Sequence, residues 1–318
     1  MLLVMKELTH IAPEARGLQL VLGAGQIGSL VAEQLLEKGH RVRVARRTAS
    51  ADARFETVAL DVRDADAVAR AAEGATVVYS CTNPLYHQWS ELLLPMVKGS
   101  AEGAAKAGAR LVVLDNLYMY GDNSRMHEAQ PMVPVSKKGE LRKQAGEWLL
   151  ARSEPIAIGR AADFFGPNAP QAMFGDRVLE RALAGRAAEV FGDLDQPHSY
   201  AYTPDVARGL VTLGSKETRG VWMLPVNPAE TTRKLLDRYA AALGVPVRTR
   251  RIPKWVLRGA GVFDKQLGEV AEMVYQWEHP YVLDDSKFRA AFGWSATPWD
   301  EAIRATTDWA RGTFRAAA

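Results

Sequence analysis

Leu18-Gln19-Leu20-Val21-Leu22-Gly23-Ala24-Gly25-Gln26-Ile27-Gly28 is the stretch that decides the fold. Leu18 to Leu22 reads as a buried strand. From Ile27 to Lys38 the apolar residues Ile27, Leu30, Val31 and Leu35 recur at helical spacing, and Gly39 closes that helix. Three glycines lie between strand and helix. Gly23 permits a tight turn, Gly25 lets the backbone approach a pyrophosphate, and Gly28 lets the helix pack on the strand. The helix N-terminus then offers free N–H groups to an anion. Gly23, Gly25, Gln26, Ile27 and Gly28 are therefore expected to hold a nicotinamide dinucleotide.

The same alternation continues outward. Val42–Ala45, Thr57–Leu60, Val77–Ser80, Leu111–Leu114 and Ile156–Ile158 read as strands, and 65–72, 90–107 and 137–152 as helices. Strands joined by helices pair in parallel through right-handed crossovers. The expected fold is α/β, a doubly wound parallel Rossmann sheet with a smaller C-terminal substrate lobe. Residues 1–17 are expected to be an extension, 18–165 the dinucleotide domain and 166–318 the lobe. Segments near 186–213 and 220–226 are expected to return to the core.

Composition narrows the function. The 318 residues are 47% hydrophobic and 24% charged, with net charge +3 and interspersed signs, which argues against a nucleic-acid partner. The single cysteine, Cys81, excludes an internal disulfide and suits a reducing cytoplasm. No apolar run reaches membrane-span length, and no His/Asp/Glu spacing suggests a metal site. A small-molecule substrate and a monomer or homodimer are expected.

The end of the second strand bears on the cofactor. An NAD enzyme would carry Asp or Glu there for the ribose 2′-hydroxyl, whereas the chain reads Val44-Ala45-Arg46-Arg47. Guanidinium suits a 2′-phosphate, so NADP(H) is expected over NAD(H). Asp61 and Val62 would flank the adenine, and Cys81, Thr82 and Asn83 the nicotinamide ribose.

Several segments, in order, resemble the atypical or extended short-chain dehydrogenase/reductase superfamily, in its NAD(P)-dependent epimerase/dehydratase group. They are Leu111 to Gly121 ending in Tyr-Gly, Gly159 to Pro167 ending in Gly-Pro, Tyr200 to Ala207 with Asp-Val-Ala, and Phe292-Gly293-Trp294 followed by Thr297-Pro298. The resemblance spans roughly Leu18 to Trp309 and implies cofactor contacts at Ala161 and Phe164. The chain also departs from the family pattern. Its glycine turn is one residue shorter between the first two glycines. The family's catalytic serine or threonine falls near Asn116. The tyrosine of its Tyr-x-x-x-Lys, counted back from Lys143, falls on Gly139.

Two residues are candidates for the missing acid. Lys138-Gly139-Glu140-Leu141-Arg142 resembles a segment of the isoflavone reductase branch, in which a lysine is the proposed acid/base; Lys137 is an equal candidate for the inward position. A buried lysine can serve near neutral pH. Tyr118 follows the fifth strand at the end where such sheets bind ligands, with Asn116 able to orient a carbonyl or water. Tyr86, His87, Trp89, Phe165, His198 and Tyr200 are candidate substrate contacts. Arg160, Arg177, Arg181 and Lys254 are possible partners for a charged substrate. Trp222, Trp255, Trp277, Trp294, Trp299 and Trp309 crowd the last third and hint at an apolar, aromatic or polyketide-like substrate. The leading expectation is an NADP(H)-dependent reductase of a carbonyl or enone. The alternatives are an NAD(P)-dependent epimerase/dehydratase and a non-catalytic NADP(H) sensor resembling NmrA-like regulators.

Overall fold

The computed structural model describes residues 16–48, 54–260 and 265–314. Seven parallel strands form the central sheet: β1 (Arg16–Leu22), β2 (His40–Arg46), β3 (Glu56–Ala59), β4 (Ala75–Ser80), β5 (Arg110–Asp115), β6 (Ile156–Arg160) and β7 (Gly220–Met223). Their spatial order is β7-β6-β5-β4-β1-β2-β3. The order reverses between β1 and β4, so a crevice opens beyond their carboxyl ends, where doubly wound sheets take ligands.

Helices α1 (Gly28–Glu37), α2 (Ala65–Ala71), α3 (Trp89–Lys106) and α4 (Lys137–Leu150) connect the strands. They are followed by α5 (Asp176–Leu183), α6 (Thr203–Gly214), α7 (Thr232–Leu243), α8 (Lys254–Ala260), α9 (Lys265–Met273), α10 (Ser286–Phe292) and α11 (Trp299–Phe314).

Alternation along the strands loads both faces of the sheet. Val21, Val77, Tyr79 and Val112 join Ile27 just before α1, Val31 and Leu35 of α1 and Val206 and Leu210 of α6 in one core. Leu20, Leu22, Val78, Leu111 and Val113 join Val68 of α2 and Ala101 and Ala104 of α3 in another. A buried aliphatic side chain of this size contributes about 2 kcal/mol, so two dry faces hold the strands in register.

The expected return of the later chain to the sheet takes a specific form. Gly220–Met223 is the edge strand β7 beside β6, and α6 packs near α1. The 188–190 segment instead pairs with 249–251 in the C-terminal part. A third core gathers Phe165, Phe174, Tyr200, Leu235, Tyr239, Trp277, Trp299 and Ile303 there. Of the expected extension 1–17, residues 1–15 lie outside the described residues, and β1 starts at Arg16, two residues before the expected strand.

Candidate active site

The glycine turn is built as its residues require. Gly23 has φ +90°, in the left-handed region that side chains avoid. A Cβ on Gly28 would lie 1.7 Å from the Gly23 carbonyl oxygen, so only glycine lets α1 start this close to β1. Gly25 is exposed, and a Cβ there would meet nothing within 4 Å. The turn therefore leaves open space at the N-terminus of α1, which fits a pyrophosphate. Cys81 N–H donates to Leu22 O at 2.9 Å, tying the end of β4 to the turn. Burial pushes the Cys81 thiol to about 12, so it is a neutral packing group. Gln26 Oε1 accepts from Gln171 N at 3.3 Å, bringing the 166–175 loop beside the turn. Arg46 and Arg47 are exposed at the end of β2. Asp61 is exposed and held low by its Arg63 ion pair, whereas Val62 is buried.

The β5 end brings the next group together. Asn116 Oδ1 accepts from Tyr118 N at 3.2 Å and so fixes the short helical turn Tyr118–Tyr120. The hydroxyls of Tyr118 and Tyr86 are 2.7 Å apart. Burial raises both phenols, Tyr86 to about 12 and Tyr118 well above its ordinary value, with the Tyr86 and Asp163 charges adding to the effect of burial on Tyr118. Trp89 is fully buried beneath them: its Nε1 donates to Pro84 O, and its ring stacks on Tyr118 at 6.0 Å. His87, two residues before it in sequence, is exposed.

Helix α4 presents Lys138 and Arg142, one turn apart, to this cluster. Lys138 is 1% exposed, Lys137 is exposed, and so the inward lysine is Lys138. The Lys138 ammonium lies 5.1 Å over the Tyr86 ring and donates to Glu269 and to Glu272 of α9, the latter at 2.8 Å. Glu272 also accepts from the Lys137 and Lys138 backbone N–H groups, as a carboxylate at the start of a helix does. Arg142 donates to Asn83 Oδ1 at 2.7 Å, lies 3.3 Å from Asp115 Oδ1 and sits 4.4 Å over the Trp89 ring.

At Gly139, where the count puts the tyrosine of Tyr-x-x-x-Lys, α4 packs against the Tyr118 backbone. A Cβ on Gly139 would lie 2.4 Å from the Tyr118 carbonyl oxygen, so no side chain fits there. The inward i, i+4 pair is Lys138 and Arg142. Arg142 is the functional candidate that the sequence reading passed over. Its spacing of four from Lys138 was the available signal.

Other expected contacts are distributed differently. Arg160 is buried on Asp115 at 3.2 Å and on the Tyr120 hydroxyl at 2.5 Å, so it props β5 against β6. Arg177 and Arg181 engage Glu189, and Lys254 engages Glu278. Phe165 stacks on Trp299 at 5.0 Å, and Tyr200 shares a 2.6 Å hydrogen bond with Thr232; both are enclosed in the C-terminal core. Ala161 is buried and Phe164 half-buried at the β6 end. His198 is buried beside Asp163 and Trp277. Trp222 and Trp294 pack around Phe288, Trp309 packs on Phe314, and Trp255 is 74% exposed. Of the later tryptophans, Trp277 and Trp299 are in ring contact with candidate site residues, His198 and Phe165, and neither touches the Tyr86–Tyr118 pair in a ring contact among the described residues.

Among the described residues no helix is long and apolar enough to cross a membrane. The family profile described as NAD dependent epimerase/dehydratase family matches residues 19–222. No curated protein matches the chain. Solved structures resemble it over nearly its whole length. MoeE5 in complex with UDP-glucose and NAD is 20% identical with TM-score 0.77, covering 94% of this chain and 99% of that one. The UDP-glucose 4-epimerase of Thermotoga maritima with UDP-glucose is 19% identical with TM-score 0.75, covering 93% and 99%. The dTDP-glucose 4,6-dehydratase of Bacillus anthracis in complex with NAD is 15% identical with TM-score 0.78, covering 94% and 97%. At these identities the likeness is one of fold.

Proposed function

Because the chain belongs to the NAD dependent epimerase/dehydratase family, we propose that it is a nicotinamide-dinucleotide enzyme that oxidises and re-reduces one carbon of a small hydroxylated molecule. The observation that carries this reading is the 2.7 Å Tyr86–Tyr118 hydroxyl pair, flanked by Lys138 and Arg142 at the C-terminal end of β5. Gly23, Gly25 and Gly28 would hold the pyrophosphate, with Asn83 and Arg142 beside the nicotinamide ribose. The dinucleotide, when bound, would take hydride from that carbon and return it. Tyr118 exchanges a proton with the substrate oxygen, and Tyr86 relays it. Arg142 favours the charged form of Tyr86 electrostatically.

The hydrogen-bonding groups around the phenols favour a polyhydroxylated substrate over the apolar one expected from the tryptophan content. Neighbours of the fold that are described with UDP-glucose support that choice. Arg46 and Arg47 support a 2′-phosphate on the cofactor, whereas MoeE5 and the B. anthracis dehydratase are described with NAD.

A net reductase is the second reading. It is favoured by the phenol pair itself, which burial keeps in the protonated form that a carbonyl oxygen can accept a hydrogen bond from. One experiment separates the two. UDP-glucose and dTDP-glucose, and separately a panel of hydrophobic ketones, are incubated with NAD(P)+ or NAD(P)H and followed at 340 nm with product analysis. Sugar conversion without net change in the dinucleotide supports the proposal. Stoichiometric NAD(P)H consumption by ketones, with no sugar conversion, replaces it with the reductase.

A further inference from the structure

Asp115 ends β5 and serves two guanidiniums at once. Its Oδ2 lies 3.2 Å from Arg160 Nε, and its Oδ1 lies 3.3 Å from Arg142 Nη1. All three side chains are buried. The carboxylate is itself held from behind. The Tyr120 hydroxyl accepts from Arg160 at 2.5 Å, and the Asp115 carbonyl oxygen accepts from Ala161 N at 3.0 Å. Asp115 therefore stands on two central strands and is rigid on the scale of the loops around it. Arg160 faces away from the phenols, since its remaining contacts are the Tyr120 ring and the Met132 sulfur.

Arg142 needs such an anchor. An arginine side chain carries about 2 kcal/mol of rotamer entropy, which opposes one fixed placement. Its other partner in hydrogen-bond reach is Asn83 Oδ1 at 2.7 Å, a neutral amide at an exposed position of the loop after β4. Its Nε is buried without a hydrogen-bond partner among the described residues, and Asp115 is the one carboxylate paired with it there. The guanidinium lies 4.4 Å over the Trp89 ring. That ring in turn meets Tyr118 and Tyr86, with centroids 6.0 and 5.2 Å away. A single aromatic ring thus separates the placed cation from the phenol pair.

We infer that Asp115 is a positioning residue of the site: it acts through Arg142, whose guanidinium one of its oxygens holds over Trp89, while its other oxygen serves the structural prop Arg160. The effect on turnover rests on the proposed function, in which the Arg142 cation supports Tyr86 as the proton is relayed. The placement of Arg142 does not rest on it. Asp115→Asn alone would leave two enclosed guanidiniums on one neutral amide, a loss of about 3–5 kcal/mol. The informative comparison is therefore Arg160→Gln against Arg160→Gln with Asp115→Asn, in which the prop is already gone.

Placement is read by NMR on full-length protein with labelled arginine. The Arg142 side-chain resonances, assigned by their loss in Arg142→Gln, are expected to carry the ring-current shift of Trp89 in the wild type and in Arg160→Gln, and to lose it in the double variant. Retention of the shift there overturns the positioning role. Asn83→Ala, at an exposed position, tests the same point without touching the core: the shift is expected to persist, and its loss overturns the role of the carboxylate. Turnover is read with UDP-glucose and the dinucleotide. Arg160→Gln is expected to lower Tm but keep kcat near the wild type. Adding Asp115→Asn is expected to lower kcat about 100-fold, as misplacement of a site group does. Adding Arg142→Gln to that double variant is expected to lower it no further, because the two residues act as one unit. A kcat unmoved by Asp115→Asn, or a further loss on adding Arg142→Gln, overturns action through Arg142. Absence of wild-type turnover would count against the proposed function, while the resonances would still decide the placement.

Discussion

The hydroxyl oxygens of Tyr86 and Tyr118 lie 2.7 Å apart, although the residues belong to different loops, one after β4 and one after β5. Two phenols within hydrogen-bond reach of each other, Tyr118 buried and Tyr86 half-buried, share one fate on ionisation. Removing either hydroxyl strands its partner.

Tyr118→Phe is therefore expected to lower turnover by about 100-fold or more, as loss of a proton-transfer group does. Tyr86→Phe should lower it less, since Tyr86 acts through Tyr118. Dinucleotide affinity, followed by fluorescence titration, should hold in both, because neither phenol touches the glycine turn. A Tyr118→Phe enzyme with full kcat would remove Tyr118 from the chemistry.

Alkaline pH should weaken the fold. Burial raises Tyr86 and Tyr202 to about 12, against an unfolded value near 10. The folded state keeps these protons when the unfolded chain gives them up. Stability should be level below pH 10 and fall as pH climbs from 10 toward 12. Denaturant midpoints across that range measure it, and a flat profile would contradict the burial argument.

The glycines of the turn should separate fold from binding. Gly25→Ala adds a methyl into open space and should leave Tm within about a degree, yet cut dinucleotide affinity strongly, since the backbone no longer meets the pyrophosphate closely. Gly28→Ala drives its methyl into the Gly23 carbonyl and should cost about 3 kcal/mol. Equal losses of Tm in the two variants would show that Gly25 is structural.

Gly139→Ala should invert the usual helix rule. Replacing a helical glycine by alanine normally gains about 1 kcal/mol. Here the methyl meets the Tyr118 carbonyl at 2.4 Å, and overpacking of about 1–3 kcal/mol should win. Thermal melts decide the sign.

Lys138→Met removes the cation that docks α9 on α4. Glu269 and Glu272 keep a quarter to a third of their side chains exposed, so water offsets part of the loss, and the cost should be about 2 kcal/mol. Replacing both glutamates by Gln strands a fully enclosed ammonium and should cost more. The reverse ranking in denaturant midpoints would mean that Lys138 is stabilised by something other than this pair. For the cofactor, Arg46→Asp should shift relative affinity from NADPH toward NADH by about tenfold, the loss of a guanidinium–phosphate contact; an unchanged ratio would remove Arg46 from cofactor choice.

The sequence by itself determined the layered fold and the glycine turn that joins its first strand to its first helix. Strand and helix periodicity are local, and so is the Gly23–Gly28 turn, whose steric demands are met within a few residues and one neighbouring strand. It also pointed to Lys138, Tyr118, Tyr86 and His198 singly. Only the tertiary structure decided what those side chains do. Lys138 meets Glu269 and Glu272 across more than 130 positions, and His198 meets Asp163 across 35 and the Gln276 carbonyl across 78. No periodicity encodes such pairings. They arise because the C-terminal segment folds back over the carboxyl ends of β4, β5 and β6. Charge and burial in that enclosed space, rather than residue type, set which group holds a proton.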